Sequence, residues 1–104
     1  MFLRKGELAN LKKNYKEAII YFEKAIELIP RFSVAFFGIG MSNLRSGNLE
    51  EAKTLYQQGL SFTDAIDELE DTIEELEKLR SRQPLLIGID NILEMLKTWK
   101  PVNK

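Results

Sequence analysis

The chain contains neither cysteine nor histidine. The first absence excludes disulfides, thiolate metal sites and a thiol nucleophile, and says little about compartment. The second removes the commonest general base and the imidazole metal ligand. An enzyme is therefore not expected. The carboxylates that remain fall on the outer faces of helices, and no glycine-rich phosphate loop follows a strand. No catalytic, cofactor-binding or metal-binding residues are assigned, and no cofactor is implied. Proline is scarce, three residues against six glycines in 104, which argues against disorder. Long apolar runs are missing as well. The stretch from Met1 to Lys13 carries charges every few residues, so it reads as neither a signal peptide nor a membrane span, and the default expectation is a cytoplasmic protein. An excess of basic charge is also missing: the formal net charge of −1 lacks the phosphate-neutralising field of a nucleic-acid binder.

What is present is a helical composition of one-domain size, with 44% hydrophobic and 30% charged residues. The small net charge hides an asymmetry. Residues 1 to 63 carry nine basic and six acidic side chains, and residues 64 to 104 carry six basic and ten acidic ones. A second regularity is a repeat of 34 residues: Gly6, Glu17, Ala18 and Phe22 recur as Gly40, Glu51, Ala52 and Tyr56. A period of this length, with small residues where helices approach and aromatics between them, predicts stacked helical hairpins that form a surface for other molecules.

Helix start and stop signals divide the chain into six helices. Residues 2 to 12 form the first, closed by Lys13 and Asn14. Asn14 with Glu17, and again Asn48 with Glu51, has the spacing of a capping-box relative at the start of the second and fourth helices. The second helix runs from Tyr15 to Ile29 and stops at Pro30. Ser33 is the expected cap of the third, which reaches Arg45 before Gly47 breaks the chain. The fourth extends from Leu49 to about Phe62, and Thr63 or Asp64 would cap a longer fifth ending near Arg82. Pro84 is placed in the first turn of the last helix, which continues to Trp99 and ends at Pro101. No stretch alternates with period two, so no sheet is expected.

These residues carry a family resemblance: the chain resembles the tetratricopeptide repeat proteins. In the first copy Phe2, Gly6, Ala18, Phe22, Ala25 and Pro30 fit the family pattern, and Lys5 and Ala9 depart from it. In the second, Phe36, Ile39, Gly40, Ala52 and Tyr56 fit, and Asn43, Gly59 and Asp64 stand where tyrosine, alanine and proline are usual. Adding one further period to Phe36 and Gly40 reaches Glu70 and Glu74, so no third copy is in register. The expected fold is all-α, one tetratricopeptide-like domain over 1–104. Repeat 1 spans about 1–32, repeat 2 about 33–63, and a divergent helical hairpin of about 64–100 supplies the third unit that such stacks need. The first repeat begins abruptly, which leaves room for an upstream one.

The resemblance implies a protein-protein interaction scaffold with a concave, peptide-holding groove. The helix from Ser33 to Arg45 is apolar nearly all round and must be covered on both sides. Phe36, Ile39 and Gly40 match the family's internal packing face. Val34, Phe37, Met41 and Leu44 are the expected groove residues, with Leu3, Glu7 and Asn10 as neighbours on the first helix; a following helix would equally make that second face core. Relatives that grip the terminal carboxylate of chaperones use lysine and asparagine where this chain has Leu3, Glu7 and Gly38. An apolar or amphipathic segment is thus the expected ligand, because no cationic clamp offsets the desolvation of a carboxylate.

Two other features bear on partners. Between Asp64 and Glu77 eight of fourteen residues are acidic and none is basic, with Ile66, Leu69, Ile73 and Leu76 in a narrow stripe. The two readings are a solvated face and a site for a basic partner. In the last helix Ile89, Ile92, Leu93, Leu96 and Trp99, joined by Leu85 and Met95, oppose a polar arc. Intramolecular packing, a homodimer through this helix, or the continuation of a longer chain would each cover them. The homodimer makes a structural, self-associating subunit the alternative role.

Overall fold

Apolar residues recurring at three- and four-residue spacing produce six antiparallel helices. In the computed structural model, which describes residues 1–62 and 65–100, these are α1 (Phe2–Leu11), α2 (Tyr15–Leu28), α3 (Ser33–Arg45), α4 (Leu49–Leu60), α5 (Ala65–Arg82) and α6 (Ile89–Thr98). Among the described residues there is no strand, and no helix is long and apolar enough to cross a membrane. The helices pair α1 with α2, α3 with α4 and α5 with α6. α2 also packs on α3, and α4 on α5, so the hairpins stack in sequence into a slab of 41 × 32 × 21 Å. The odd-numbered helices touch one another along one side, α1 to α3 and α3 to α5.

The repeated residues act as the spacing predicts. A Cβ built on Gly6 would stand 2.8 Å from the Phe22 ring, and one on Gly40 would stand 2.7 Å from the Tyr56 ring, one period further on. Ala18 and Ala52 are fully buried. Two other glycines have the same cause. Gly38 leaves space for the tip of the Phe22 ring, and Gly59, a departure from the repeat pattern, lets Phe37 approach to where a Cβ would lie 2.6 Å from its ring.

The turns within the first two hairpins are equivalent as well. Lys13 (φ 66°) and Gly47 (φ 94°) adopt the left-handed conformation 34 residues apart. The following amides, of Asn14 and Asn48, donate back to the carbonyls of Ala9 (2.8 Å) and Asn43 (2.7 Å). The amides of Lys13 and Gly47 reach Asn10 and Leu44. Each turn is thus a Schellman motif. The expected capping boxes do not form. Asn14 and Asn48 are the N-caps of α2 and α4, yet neither side chain makes a cap bond, because their backbones are held by the Schellman closure, and Asn48 donates its side-chain amide to Asn43 instead.

Two further helix starts differ from expectation. Phe32, not Ser33, caps α3; Ser33 is fully buried and its hydroxyl donates to the Gly59 carbonyl at 2.8 Å, tying the start of α3 to the end of α4. Pro84 does not open α6. It takes the second position of a turn closed by the Leu86 amide on the Gln83 carbonyl, a place its fixed φ suits, and Gly88 (φ 92°) then supplies the left-handed residue from which α6 begins at Ile89. The expected caps Thr63 and Asp64 and the stop at Pro101 lie outside the described residues.

The core has two parts that meet at α3. The N-terminal part is rich in small residues and centres on Phe22, with Ala9, Ala18, Ala35 and Ile39. The C-terminal part joins α3 and α4 to α5 and α6 through Phe37, Leu44, Tyr56, Leu76, Ile92 and Leu96. The apolar arc of α6 is covered within the chain: Ile89, Ile92, Leu93 and Leu96 are buried, and Met95 and Trp99 pack against the same cluster. The observation that motivated a homodimer through this helix is thereby accounted for by intramolecular packing. Leu85, counted in that arc, is instead 92% exposed in the turn before α6.

Candidate functional site: a cleft along the odd-numbered helices

Because each odd-numbered helix is the first of its hairpin, α1, α3 and α5 share the inner side of the stack. Between them lies a cleft of about 370 Å³, within the roughly 300–1,000 Å³ range of ligand-binding pockets. α1 contributes Glu7, Asn10 and Leu11; α3 contributes Val34, Phe37, Gly38, Met41 and Arg45; α5 contributes Glu68, Asp71, Thr72, Glu75, Leu79 and Arg82. Each set follows a spacing of three and four, so each is one face of its helix.

Five of the seven residues expected at a groove line this cleft: Glu7, Asn10, Val34, Phe37 and Met41. Leu3 and Leu44 do not. Leu3 is half-buried against the N-terminal core, and Leu44 is completely buried in the C-terminal one. Phe37 and Met41 are themselves 3% and 6% exposed, so they form a floor shared with the core, and Val34 is only half-buried. Asn10 is a structural residue as well as a lining one. Its side-chain amide donates to the Gly38 carbonyl (3.3 Å), and its side-chain oxygen accepts from the Ser42 hydroxyl (2.6 Å). That network fixes α1 against α3.

The wall from α5 was missed as part of the site. Its signal was visible, since Glu68, Asp71 and Glu75 repeat at spacings of three and four, but whether that face meets solvent or a cleft depends on how α5 docks. The electrostatics of the cleft follow from this wall. Partial desolvation pushes the Glu75 carboxyl above the usual range; Glu7 across the cleft and Asp71 on the same helix push it further, and Arg45 pulls it back. Arg45 is itself engaged: its Nη1 donates to the Asn10 carbonyl at 3.1 Å and its guanidinium lies over the Tyr15 ring, 5.4 Å from the centroid. Beneath the cleft, Tyr56 is stacked on Phe37, and its buried hydroxyl has no hydrogen-bond partner among the described residues. Burial, and secondarily Glu75, raises the pKa of that phenol.

Two family models, each described as a tetratricopeptide repeat, match residues 1–32 and 34–58. The chain belongs to the tetratricopeptide repeat family. A search among curated proteins finds no match to it. Tetratricopeptide repeats are in general non-enzymatic modules that hold other proteins. In this tetratricopeptide repeat protein the two matched repeats supply two sides of the cleft, and the divergent hairpin of α5 and α6 supplies the third.

Proposed function

We propose that this protein is a scaffold whose concave cleft holds an apolar or amphipathic segment of a partner protein. One observation supports the reading above all: first helices of all three hairpins border a single cleft with an apolar floor of Val34, Phe37, Met41 and Leu79. Burying apolar side chains there removes area from water on both partners, at roughly 25 cal/mol per Å² before the costs of association are subtracted. Glu7 and Asn10 form one rim; Leu3 and Leu44 support the helices from behind.

A test must alter the cleft without opening the core. Charging Phe37 and Met41 would not do so, since both are buried and uncompensated charges there would unfold the chain. Val34→Trp with Leu11→Ser changes one half-buried and one exposed lining residue instead. Peptides selected from a random displayed library against the full chain are expected to bind this variant at least about tenfold more weakly, a difference of about 1.4 kcal/mol, while its circular dichroism and melting temperature stay unchanged. Selected peptides that bind both proteins equally would overturn the cleft as the site.

A further inference from the structure

The cleft has a charge pattern that its apolar floor does not explain. Glu7 comes from α1, and Asp71 and Glu75 come from α5, so acidic groups stand on two opposite walls. None of the three has an ion-pair partner within 4.0 Å among the described residues, although cations elsewhere on the same hairpin are paired, Arg80 with Asp90 at 3.0 Å and Lys97 with Glu77 at 2.6 Å. The nearby cation, Arg45, attracts Glu75 but makes no ion pair with any of the three: its Nη1 donates to the Asn10 carbonyl and its guanidinium lies over the Tyr15 ring. Arg82, at the end of the cleft, lies seven residues beyond Glu75 and eleven beyond Asp71, about 10 and 16 Å along the helix.

We propose that the segment held in this cleft is a basic amphipathic peptide, its apolar residues resting on α3 and its lysines or arginines placed between Glu7 on one wall and Asp71 and Glu75 on the other. The inference rests on the cleft being the binding site and adds the chemistry of the occupant. Charge complementarity carries it. An acidic segment would meet like charge on both walls, and a purely apolar one would further desolvate carboxylates that have no ion-pair partner within 4.0 Å among the described residues. A single metal ion does not fit the arrangement, since no three of the described acidic residues are grouped closely enough to hold one. Carboxylates spread over two helices match instead the several charges of a peptide. Burial holds the Glu75 carboxyl above its usual range, and Glu7 and Asp71 raise it further against the pull of Arg45, a direction that a cation between them would oppose.

The experiment uses the full chain, the charge-neutral variant Glu7→Gln/Asp71→Asn/Glu75→Gln, the cleft variant Val34→Trp/Leu11→Ser, and a random displayed peptide library as probe. Peptides selected by the parent chain are expected to carry net positive charge alongside apolar residues. Their affinity is expected to fall at least about tenfold when their lysines and arginines become glutamine, fall equally on the charge-neutral variant, and weaken with added salt. The charge-neutral variant should melt no lower than the parent, so weaker binding cannot be assigned to unfolding. Neutral or acidic peptides that bind the parent and the charge-neutral variant alike, but are lost on the cleft variant, would overturn this inference and leave the cleft reading standing. Peptides indifferent to both variants, or a selection that yields no binder, would overturn the two together.

Discussion

Gly40→Ala tests the packing on which the repeat depends, and its magnitude can be worked from one contact. The new methyl carbon would lie 2.7 Å from both Cδ2 and Cε2 of Tyr56, where ordinary contacts fall at 3.4–4 Å. Something must shift. The ring is fully buried and stacked on Phe37 at 5.7 Å between centroids, so it cannot move outward without displacing the floor of the cleft. Overpacking of this kind costs about 1–3 kcal/mol. Alanine also has a helix-propensity advantage over glycine of about 1 kcal/mol. The difference is a net destabilisation of about 1 kcal/mol, a fall in melting temperature of about 4–8 °C for a domain of this size. The sign should invert once the ring is gone. In a Tyr56→Leu background the same Gly40→Ala change should gain about 1 kcal/mol, which makes the coupling between the two sites about 2 kcal/mol. Urea denaturation followed by circular dichroism on the four proteins measures this directly, with unchanged m-values as the check that the unfolded states match. Equal effects of Gly40→Ala in both backgrounds would refute the argument that the glycine exists to admit the ring.

Two other outcomes follow from single groups. Tyr56→Phe removes a buried hydroxyl that has no partner, so stability should stay level or rise by up to about 1 kcal/mol; a loss larger than that in urea would show that the hydroxyl makes a stabilising bond. Lys97 hydrogen-bonds Glu77 and holds its carboxyl below the usual range, so the pair's small stabilisation is present above the unfolded carboxylate pKa of about 4.3 and is lost as pH falls through the lower folded value. Lys97→Met should move the Glu77 titration, followed by NMR, up toward the ordinary value, and an unmoved titration would contradict the assigned cause.

How much of this was legible in the sequence depended on whether a residue's role is local or set by a distant element. The 34-residue period located Gly6 against Phe22 and Gly40 against Tyr56 without any structure, because helical hairpins place those positions together wherever the period holds. Helix interiors followed from apolar spacing. The starts of α2 and α4 were legible too, at Tyr15 and Leu49, but the capping chemistry was not. Asn14, Asn48 and Ser33 have the chemistry of N-caps, but the first two are fixed by backbone bonds to the preceding helix, and Ser33 is drawn to the Gly59 carbonyl 26 positions away. Pro84 was ambiguous for a different reason. A fixed φ suits both the first turn of a helix and the second position of a β-turn, and only the left-handed Gly88 downstream separates them. The cleft was half legible. Glu7, Asn10, Val34, Phe37 and Met41 followed from family position, Leu11, Gly38 and Arg45 did not, and α5, lacking the repeat's glycine in register, could be placed on the inner side only once its docking against α3 was known.

The same docking resolves why α3 is apolar nearly all round. Ala35 and Ile39 face the N-terminal core, Phe37, Met41 and Leu44 face the C-terminal one, and Val34, Gly38, Arg45 and part of the Phe37–Met41 surface open into the cleft between them. Groove and core are therefore not alternatives for this helix but successive sectors of its circumference. The consequence is a division of labour between elements. Apolar contact area in the cleft is tied to residues that also hold the fold together, so it can change little without a loss of stability. The charged wall on α5 is less constrained: Asp71 and Glu75 lie outside the buried core, and the helix docks through Ala65, Leu76 and Leu79, the last of which also reaches the cleft floor. On the proposed reading of the cleft, specificity for a partner would vary on α5 while α3 keeps the hairpins in register, because a hairpin that departs from the repeat pattern has the most freedom to change.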